Sequence, residues 1–367
     1  MHHQRRNGGV NGDLVVLSIA QRRNDFPPGH DFLPLEAALA CTLDRDPQEL
    51  LEAAGRAQNA SKSRCAEERS GESTLKRRDF FAYPLIGMAA WNRPVQAKSF
   101  SDVEFSHPSG NSLQFDAQVP DGKGPFPAAI IVHGGAWVTG DRRRSVEPLF
   151  RLLTNSGIAW FSISYRLADI GDQRSLATLA ASTATLDSAV DDVKSAVAFL
   201  RTHASDYNLD RNRIALIGES AGAQLAAMAA LKSPASQGVQ AVVAFYCPSN
   251  LVTLAQTLSL IPDSIRQAVK GTPLEQMLMA RMRELSPITW VEPGAPPFLL
   301  IHGTADSLVP FQQSVDFCSA LSASGSACEL FPVEGAGHGL RWWEGNNRLS
   351  AYKPHLVQWL SDKLMLR

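Results

Sequence analysis

The sequence predicts an α/β fold with a doubly wound, mostly parallel sheet of about eight strands and helices on both faces. Residues 101–107 and 112–120 alternate apolar with polar side chains, as antiparallel strands with one solvated face do. Later segments are short and almost wholly apolar, which suits parallel strands covered on both faces. These segments are residues 128–134, 158–165, 213–220, 241–248, 297–303 and 328–335.

Helical patterns separate the apolar runs, and this alternation favours right-handed strand–helix–strand crossovers. The clearest helix covers residues 189–202, where Val190, Val193 and Val197 lie on one apolar stripe. A last helix is predicted from about Leu349 to Leu364. Each predicted helix therefore has an apolar face to place against the sheet.

Composition excludes several classes of protein. The chain has 367 residues and a formal net charge of −1, so the charge balance indicates neither a nucleic-acid partner nor an anionic membrane surface. No apolar stretch reaches the roughly 18 residues of a membrane span. The five cysteines lack the paired spacings of zinc or redox sites. We therefore expect no metal, no cofactor and no membrane partner.

A serine lies at the joint between an apolar strand and an Ala-rich helix, in the sequence Gly218-Glu219-Ser220-Ala221-Gly222. In a GxSxG turn the serine backbone is strained and the hydroxyl is exposed above the sheet. The amides at the start of the following helix can stabilise negative charge at the same point. The motif predicts that Ser220 is a nucleophile.

A nucleophilic serine needs a general base and a group that orients the base. His338 lies in a Gly-rich loop after the last predicted strand, and Asp306 lies in a loop after the preceding strand. Ser220, Asp306 and His338 thus follow the Ser…Asp…His order of an α/β-hydrolase. His302 is the alternative base, but it ends an apolar strand and is expected to pack against the neighbouring loop.

The loop after the third predicted strand, residues 133–137, reads HGGAW. Its glycines allow backbone amides to face a substrate without an intervening side chain. The amides of Gly134 and Gly135, with that of Ala221, are the candidate donors to the oxyanion of a tetrahedral intermediate. His133 is expected to anchor this loop.

Together these motifs resemble the α/β-hydrolase superfamily. Within it they are similar to the esterases related to hormone-sensitive lipase and to bacterial feruloyl and acetyl-xylan esterases. The resemblance covers residues 103–364 and rests on the segments HGGAW, SISYRL, GESAG, SPITWV, HGTADSLVP and GAGHG in family order. It implies that Ser220 is the nucleophile, His338 the general base and acid, and Asp306 its orienter.

Three departures from the family pattern concern the site. Residues 133–137, called the oxyanion loop below, contain Trp137, which is expected to narrow or floor the substrate pocket. The nucleophile motif ends in SAGA where many relatives have SAGG, and the segment after SYRL is longer than usual. Glu219 and Trp342 are further candidates for the pocket. Trp342 and Trp343 follow the base histidine closely, so either could stack on a sugar or aryl group or simply pack.

Residues 250–285 lie between two predicted strands and are expected to form a small helical cap. Helical patterns occur in this segment, and in relatives such a segment covers the nucleophile. Leu274, Met277, Met279 and Met282 either line an apolar pocket or belong to ordinary core packing.

The chain changes character near Leu75. Residues 1–74 are predicted to be a poorly ordered extension or an upstream misreading of the start. Part of them resembles two helices of a Cro-type DNA-binding domain, but two helices alone cannot bury a core. Residues 75–97 resemble a twin-arginine export signal, with cleavage before Lys98. This predicts a periplasmic or secreted catalytic domain at residues 98–367. The alternative is an amphipathic linker on a cytoplasmic protein.

The sequence thus predicts a serine carboxylic ester hydrolase that acts through an acyl-enzyme. Short-chain acyl or hydroxycinnamoyl esters, some on plant polysaccharide, are the expected substrates. The alternatives are an aryl formamidase or peptidase on the same fold and, more remotely, a non-catalytic binding protein on a hydrolase scaffold. Export would place Cys318 and Cys328 in an oxidising compartment, where they could form a disulfide or remain free buried thiols.

Overall fold

The computed structural model describes residues 96–168, 176–234, 237–257 and 267–365, without the side chains of residues 176–183 and 365. The predicted extension at residues 1–74 lies outside these ranges. So does the predicted export signal, except for its last two residues, Gln96 and Ala97.

A single eight-stranded sheet organises the described chain, and the predicted sheet is confirmed. Its order is β1-β2-β4-β3-β5-β6-β7-β8. The pairs β1–β2 and β2–β4 are antiparallel, and the remaining pairs are parallel. The strands are β1 (Ala97–Ser106), β2 (Leu113–Pro120), β3 (Phe126–Val132), β4 (Ala159–Ile163), β5 (Leu209–Glu219), β6 (Ala241–Phe245), β7 (Phe298–Gly303) and β8 (Cys328–Val333).

Helices follow the strands as the sequence predicts, and short 3₁₀ turns join some of them. The helix predicted at residues 189–202 starts earlier, and the last helix is preceded by a 3₁₀ turn at Leu349–Ala351. The α-helices are α1 (Glu147–Asn155), α2 (Leu176–Thr202), α3 (Ala221–Leu231), α4 (Leu251–Thr257), α5 (Pro273–Glu284), α6 (Gln312–Ala323) and α7 (Tyr352–Met365).

Two apolar cores lie on opposite faces of the sheet, because the central strands bury both of their faces. One core joins alternate strand residues to α2, α3 and α6, and the other joins the remaining strand residues to α1 and α7. Every residue of β4 and β6 is buried. The sheet is thereby a rigid platform, and the loops at the carboxyl ends of its parallel strands carry the candidate site.

A disulfide joins Cys318 of α6 to Cys328 at the start of β8. The sequence left open whether these two cysteines are bonded or free, and the structure has the bonded pair. Cys247, after β6, is a buried free thiol. Among the described helices, none combines the length and the apolar character that crossing a membrane requires.

Candidate active site

Ser220 lies in the sharp turn between β5 and α3, with φ 54° and ψ −118°. This strained backbone is the one predicted for a GxSxG serine. The turn is tight: a Cβ on Gly218 would lie 2.4 Å from Cα of Ala223, and one on Gly222 would lie 2.2 Å from the Val132 carbonyl oxygen. Only glycine fits at these two positions, which explains the spacing of the motif.

Three side chains predicted from the sequence come together in one line of hydrogen bonds. His338 Nε2 lies 2.9 Å from Ser220 Oγ, and His338 Nδ1 lies 2.7 Å from Asp306 Oδ2. Because a carboxylate accepts, Nδ1 of His338 donates to Asp306, which leaves Nε2 free to accept the serine proton. This is the geometry in which a base can take the proton of a nucleophilic hydroxyl.

The Asp306 carboxylate is buried and held from several sides. Its Oδ1 accepts hydrogen bonds from the amides of Leu308 and Val309, each at 2.9 Å. Burial alone would raise the pKa of Asp306, but hydrogen bonds from His302 and His338 outweigh it and hold that pKa well below its ordinary value. The group therefore stays ionised, as an orienter of a base must.

His302 lies beside the Asp306 carboxylate, near the same oxygen that His338 contacts. Its Nε2 is 2.8 Å from the Val309 carbonyl oxygen and 3.4 Å from Asp306 Oδ2, while its Nδ1 is 2.7 Å from Ser314 Oγ. Both ring nitrogens are thus engaged, and the ring is fully buried. The expectation that His302 packs rather than acts as the base agrees with this placement.

The loop at residues 133–137 differs in one respect from the prediction. The Gly134 amide donates to Glu219 Oε2 at 3.2 Å, so its hydrogen is already used within the protein. The prediction that Gly134 is an oxyanion donor is therefore wrong in this geometry. The amides of Gly135 and Ala221 have no hydrogen-bond acceptor among the described residues. These two amides are the ones that remain available to a ligand.

His133 anchors the oxyanion loop, as expected. Its Nδ1 lies 2.7 Å from the Gly134 carbonyl oxygen, and its ring stacks on that of Tyr165 with centroids 4.4 Å apart. The Tyr165 hydroxyl donates to the His133 carbonyl oxygen at 3.1 Å. Burial lowers the pKa of His133, so its ring is neutral and its Nδ1 donates.

Glu219 does not line a pocket, which corrects the sequence prediction. Its carboxylate is buried, and besides the Gly134 amide it accepts the Tyr246 hydroxyl at 2.9 Å. That hydroxyl in turn accepts the Leu340 amide at 2.8 Å. Burial and the nearby Glu219 carboxylate raise the pKa of Tyr246, which keeps the hydroxyl a donor. Glu219 and Tyr246 thus connect the oxyanion loop to the loop that bears His338.

The two tryptophans after His338 have opposite environments. Trp343 is buried and donates its indole N–H to the Gly337 carbonyl oxygen at 2.9 Å, so it anchors the histidine loop. Trp342 is 70% exposed. Its indole lies against Gly339, where an added Cβ would be 2.7 Å from Trp342 Cδ1. Of the two tryptophans, Trp342 is thus the one that has an exposed aromatic face.

Trp137 is partly buried and is held by a hydrogen bond of its indole, and whether it narrows or floors a substrate pocket stays a prediction. Its indole N–H donates to Gln224 Oε1 at 3.0 Å, and Gln224 Nε2 donates to the Leu285 carbonyl oxygen at 2.7 Å. Gln224 is fully buried on α3. Sequence reasoning missed Gln224, because a polar residue in an Ala-rich helix carries no sign of the tertiary partner that it meets.

Helices α4 and α5 occupy the segment predicted as a cap, residues 250–285, of which residues 258–266 lie outside the described ranges. Trp137 packs against a buried cluster that includes Leu251 and Leu254 of α4 and Leu285, so these described parts of the segment lie near the oxyanion loop. Of the apolar residues singled out from the sequence, Met277 is 67% exposed. The others pack within the segment; they are Leu274, Met279 and Met282.

Comparison with known proteins gives a family match and curated relatives. The BD-FAE family model matches residues 115–321. The chain is 32% identical over 210 residues to the probable carboxylic ester hydrolase LipM of Mycobacterium tuberculosis, covering 54% of this chain and 45% of LipM. It is 32% identical over 238 residues to esterase LipC of the same organism, covering 60% of this chain and 55% of LipC. The chain spans about half the length of the curated relatives that it matches.

Solved structures share the architecture at low identity. A thermophilic esterase of Thermogutta terrifontis, Est2, superposes with a TM-score of 0.55 at 24% identity, covering 74% of this chain and 92% of Est2. A truncated carbohydrate esterase from gut microbiota gives a TM-score of 0.56 at 23% identity, with coverage of 73% and 97%. At these identities the likeness shows the fold, and it confirms the predicted fold class.

Proposed function

The chain belongs to the BD-FAE family and has the α/β-hydrolase fold, and on this premise we propose that it is a carboxylic ester hydrolase acting through an acyl-enzyme on Ser220. One observation carries the proposal. Asp306, His338 and Ser220 form a continuous hydrogen-bonded line, with distances of 2.7 and 2.9 Å, at a strained serine whose hydroxyl faces the site. Esters are also the substrates that the names of similar proteins indicate.

Acylation follows from this geometry. Ser220 Oγ attacks the ester carbonyl carbon while its proton passes to His338 Nε2. The Asp306 carboxylate stabilises the imidazolium that forms. The carbonyl oxygen becomes an oxyanion, which the amides of Gly135 and Ala221 receive. The tetrahedral intermediate then expels the alcohol, which takes the proton from His338 and leaves the acyl group on Ser220.

Deacylation repeats the same steps with water. His338 removes a proton from a water molecule, the resulting hydroxide attacks the acyl carbon, and the same two amides receive the oxyanion. Ser220 Oγ leaves with the proton held by His338, and the carboxylic acid is released. Each oxyanion donor is worth on the order of 10²–10³ in turnover. No cofactor enters this cycle.

Short acyl and hydroxycinnamoyl esters, including those carried on polysaccharide, are the substrate class that we propose. The support is the indole of Trp342, which is 70% exposed and follows His338 by four residues. Aromatic faces of this kind stack on sugar and aryl rings. A solved structure with the same fold is that of a carbohydrate esterase from gut microbiota.

Export to the periplasm or the medium is the location that we propose. The Cys318–Cys328 disulfide supports it, because disulfides persist mainly in oxidising compartments. β1 begins at Ala97, so cleavage before Lys98 would leave the sheet almost entire. Fractionating cells that produce the full chain and sequencing the mature N-terminus tests this. Recovery of an uncleaved chain from the cytoplasm would contradict it.

The test of function compares the full chain with its Ser220→Ala variant. Both are given p-nitrophenyl acetate, butyrate and octanoate, methyl ferulate, acetylated xylan and N-formylkynurenine. The proposal expects ester hydrolysis that disappears in the variant. Hydrolysis of the formamide alone would instead assign the site to amides, and a folded chain inert on every compound would contradict the proposal.

A further inference from the structure

The oxyanion loop has a backbone that it would not adopt by itself. Gly135, Ala136 and Trp137 have φ values of 121°, 51° and 65°, so three successive residues have positive φ. For alanine and tryptophan this conformation is unfavourable, and it persists only where the surroundings hold it. The amide that we assign to the oxyanion, that of Gly135, begins this strained run.

Trp137 is one of the points at which the loop is held, besides His133 and the Glu219 contact to Gly134. Its carbonyl oxygen accepts the Ala168 amide at 2.8 Å, and its indole N–H donates to Gln224 Oε1 at 3.0 Å. Its side chain packs against a buried apolar cluster formed by Ala168, Leu186, Leu251, Leu254 and Leu285. The side chain is thereby fixed by a polar contact to α3 and by apolar contacts to the cap segment at residues 250–285.

Gln224 connects these two attachments. Its side chain is fully buried, and its amide uses the oxygen for Trp137 and the nitrogen for the Leu285 carbonyl, at 3.0 and 2.7 Å. The Gln224 oxygen and nitrogen both have hydrogen-bond partners only when Trp137 and Leu285 hold these positions at the same time. A buried amide left with an unpaired end is disfavoured, so the two positions depend on each other.

We propose that Gln224 is a positioning residue for oxyanion stabilisation, tying the strained loop at residues 135–137 to Leu285 of the cap segment. The Gly135 amide is held by this tie at the point where the oxyanion forms. The inference rests on the proposed function and deepens it. As a consequence, the position of Leu285 affects kcat through Gln224 and Trp137, because a shift of about 1 Å in a positioned group can cost ~10²-fold in rate.

The test removes the tie from either end. Trp137→Phe deletes the indole donor and keeps an aromatic ring, and Gln224→Met keeps the length of the side chain without its amide. Trp160→Phe is the matched control. Its indole is buried and donates to Thr154 Oγ1 at 2.9 Å, but it belongs to the core on the other face of the sheet. All variants are compared at equal active-site concentration, taken from the p-nitrophenol burst.

The expected result is a fall in kcat of about tenfold to 10²-fold for p-nitrophenyl acetate in both single variants, with KM nearly unchanged. A phenylboronic acid forms a tetrahedral adduct with Ser220 that places an oxygen against the Gly135 and Ala221 amides. Its affinity should fall together with kcat. Both single changes delete the Trp137–Gln224 bond, and Gln224→Met also deletes the bond to the Leu285 carbonyl. The double variant should therefore lose no more kcat than Gln224→Met alone. Trp160→Phe should lower stability while kcat stays at the wild-type value.

Additive losses of kcat in the double variant would overturn the inference. So would a kcat for both single variants equal to that of Trp160→Phe. If Gln224→Met fails to fold, Trp137→Phe alone tests the inference: a fall in both kcat and boronate affinity supports it, and wild-type values of both overturn it. Wild type and Ser220→Ala are measured in the same series, so that the proposed ester hydrolase function is tested separately from the positioning role of Gln224. Hydrolysis that depends on Ser220 supports the proposed function whatever the Gln224 and Trp137 variants do.

Discussion

Replacing Tyr246 with phenylalanine removes one hydroxyl and leaves the ring in place against His338, whose ring centroid is 4.3 Å away. That hydroxyl donates to Glu219 Oε1 at 2.9 Å and accepts the Leu340 amide at 2.8 Å. Both partners are buried, so neither regains a hydrogen bond from water. The variant therefore leaves one acceptor and one donor without a partner inside the protein.

The magnitude follows from these two losses. An unsatisfied buried donor or acceptor costs about 1–3 kcal/mol, so the two groups left by Tyr246→Phe should lower the free energy of unfolding by roughly 2–6 kcal/mol. We also expect kcat to fall, because the Leu340 amide belongs to the loop after His338 and the Glu219 carboxylate holds the Gly134 amide. Urea unfolding followed by tryptophan fluorescence measures the first quantity, and p-nitrophenyl butyrate hydrolysis measures the second.

Tyr352 provides the matched control. It is as buried as Tyr246, but its hydroxyl has no hydrogen-bond partner among the described residues. Tyr352→Phe should leave the free energy of unfolding unchanged or raise it by up to about 1 kcal/mol, because an unpaired buried hydroxyl is removed. Equal effects of the two substitutions would refute the reasoning, since the network around Glu219 would then contribute nothing.

Three further predictions concern the acid, the exposed indole and the disulfide. The pKa of Asp306 is lower in the folded chain, so its ionisation contributes stability above its unfolded pKa, and this contribution is lost as pH falls through the folded value. The difference in unfolding free energy between wild type and Asp306→Asn should therefore narrow from pH 5 to pH 3; a constant difference would contradict this. Trp342→Ala should raise KM for methyl ferulate about 2–10-fold and leave p-nitrophenyl acetate unaffected, and an equal change for both esters would exclude stacking. Replacing Cys318 and Cys328 by serine removes the cross-link between two residues 10 positions apart, so the unfolded chain gains conformational freedom. The free energy of unfolding should therefore fall by about 2–3 kcal/mol while kcat is retained. An unchanged free energy of unfolding in urea would contradict this prediction.

The strands and the reactive line could be predicted because their causes are local in sequence. Continuous apolar runs indicate strands that are covered on both faces, and alternating runs indicate strands with one solvated face. The six apolar and two alternating segments of the prediction all contain strands in the structure. Ser220, Asp306 and His338 each end or follow a parallel strand, and the carboxyl ends of such strands meet at one edge of the sheet. Their order along the chain was sufficient to predict that they would meet.

What could not be predicted depends on contacts between distant segments. The Gly134 amide is taken by Glu219, 85 positions away, and nothing in HGGAW or GESAG signals that one motif uses the other. Trp342 and Trp343 are adjacent and identical, yet one is exposed and the other buried. Only the packing of the histidine loop against the core distinguishes them. Gln224 was missed for the same reason.

The central claim is that Ser220 carries the acyl group during ester hydrolysis. The most direct measurement mixes the full chain with p-nitrophenyl butyrate, quenches in acid within milliseconds and maps the added butyryl mass by peptide mass spectrometry. The account predicts a butyryl group on the peptide that contains Ser220, and a loss of turnover on the order of 10⁶ in Ser220→Ala. Turnover in Ser220→Ala comparable to wild type, or an acyl group on another residue, would contradict it.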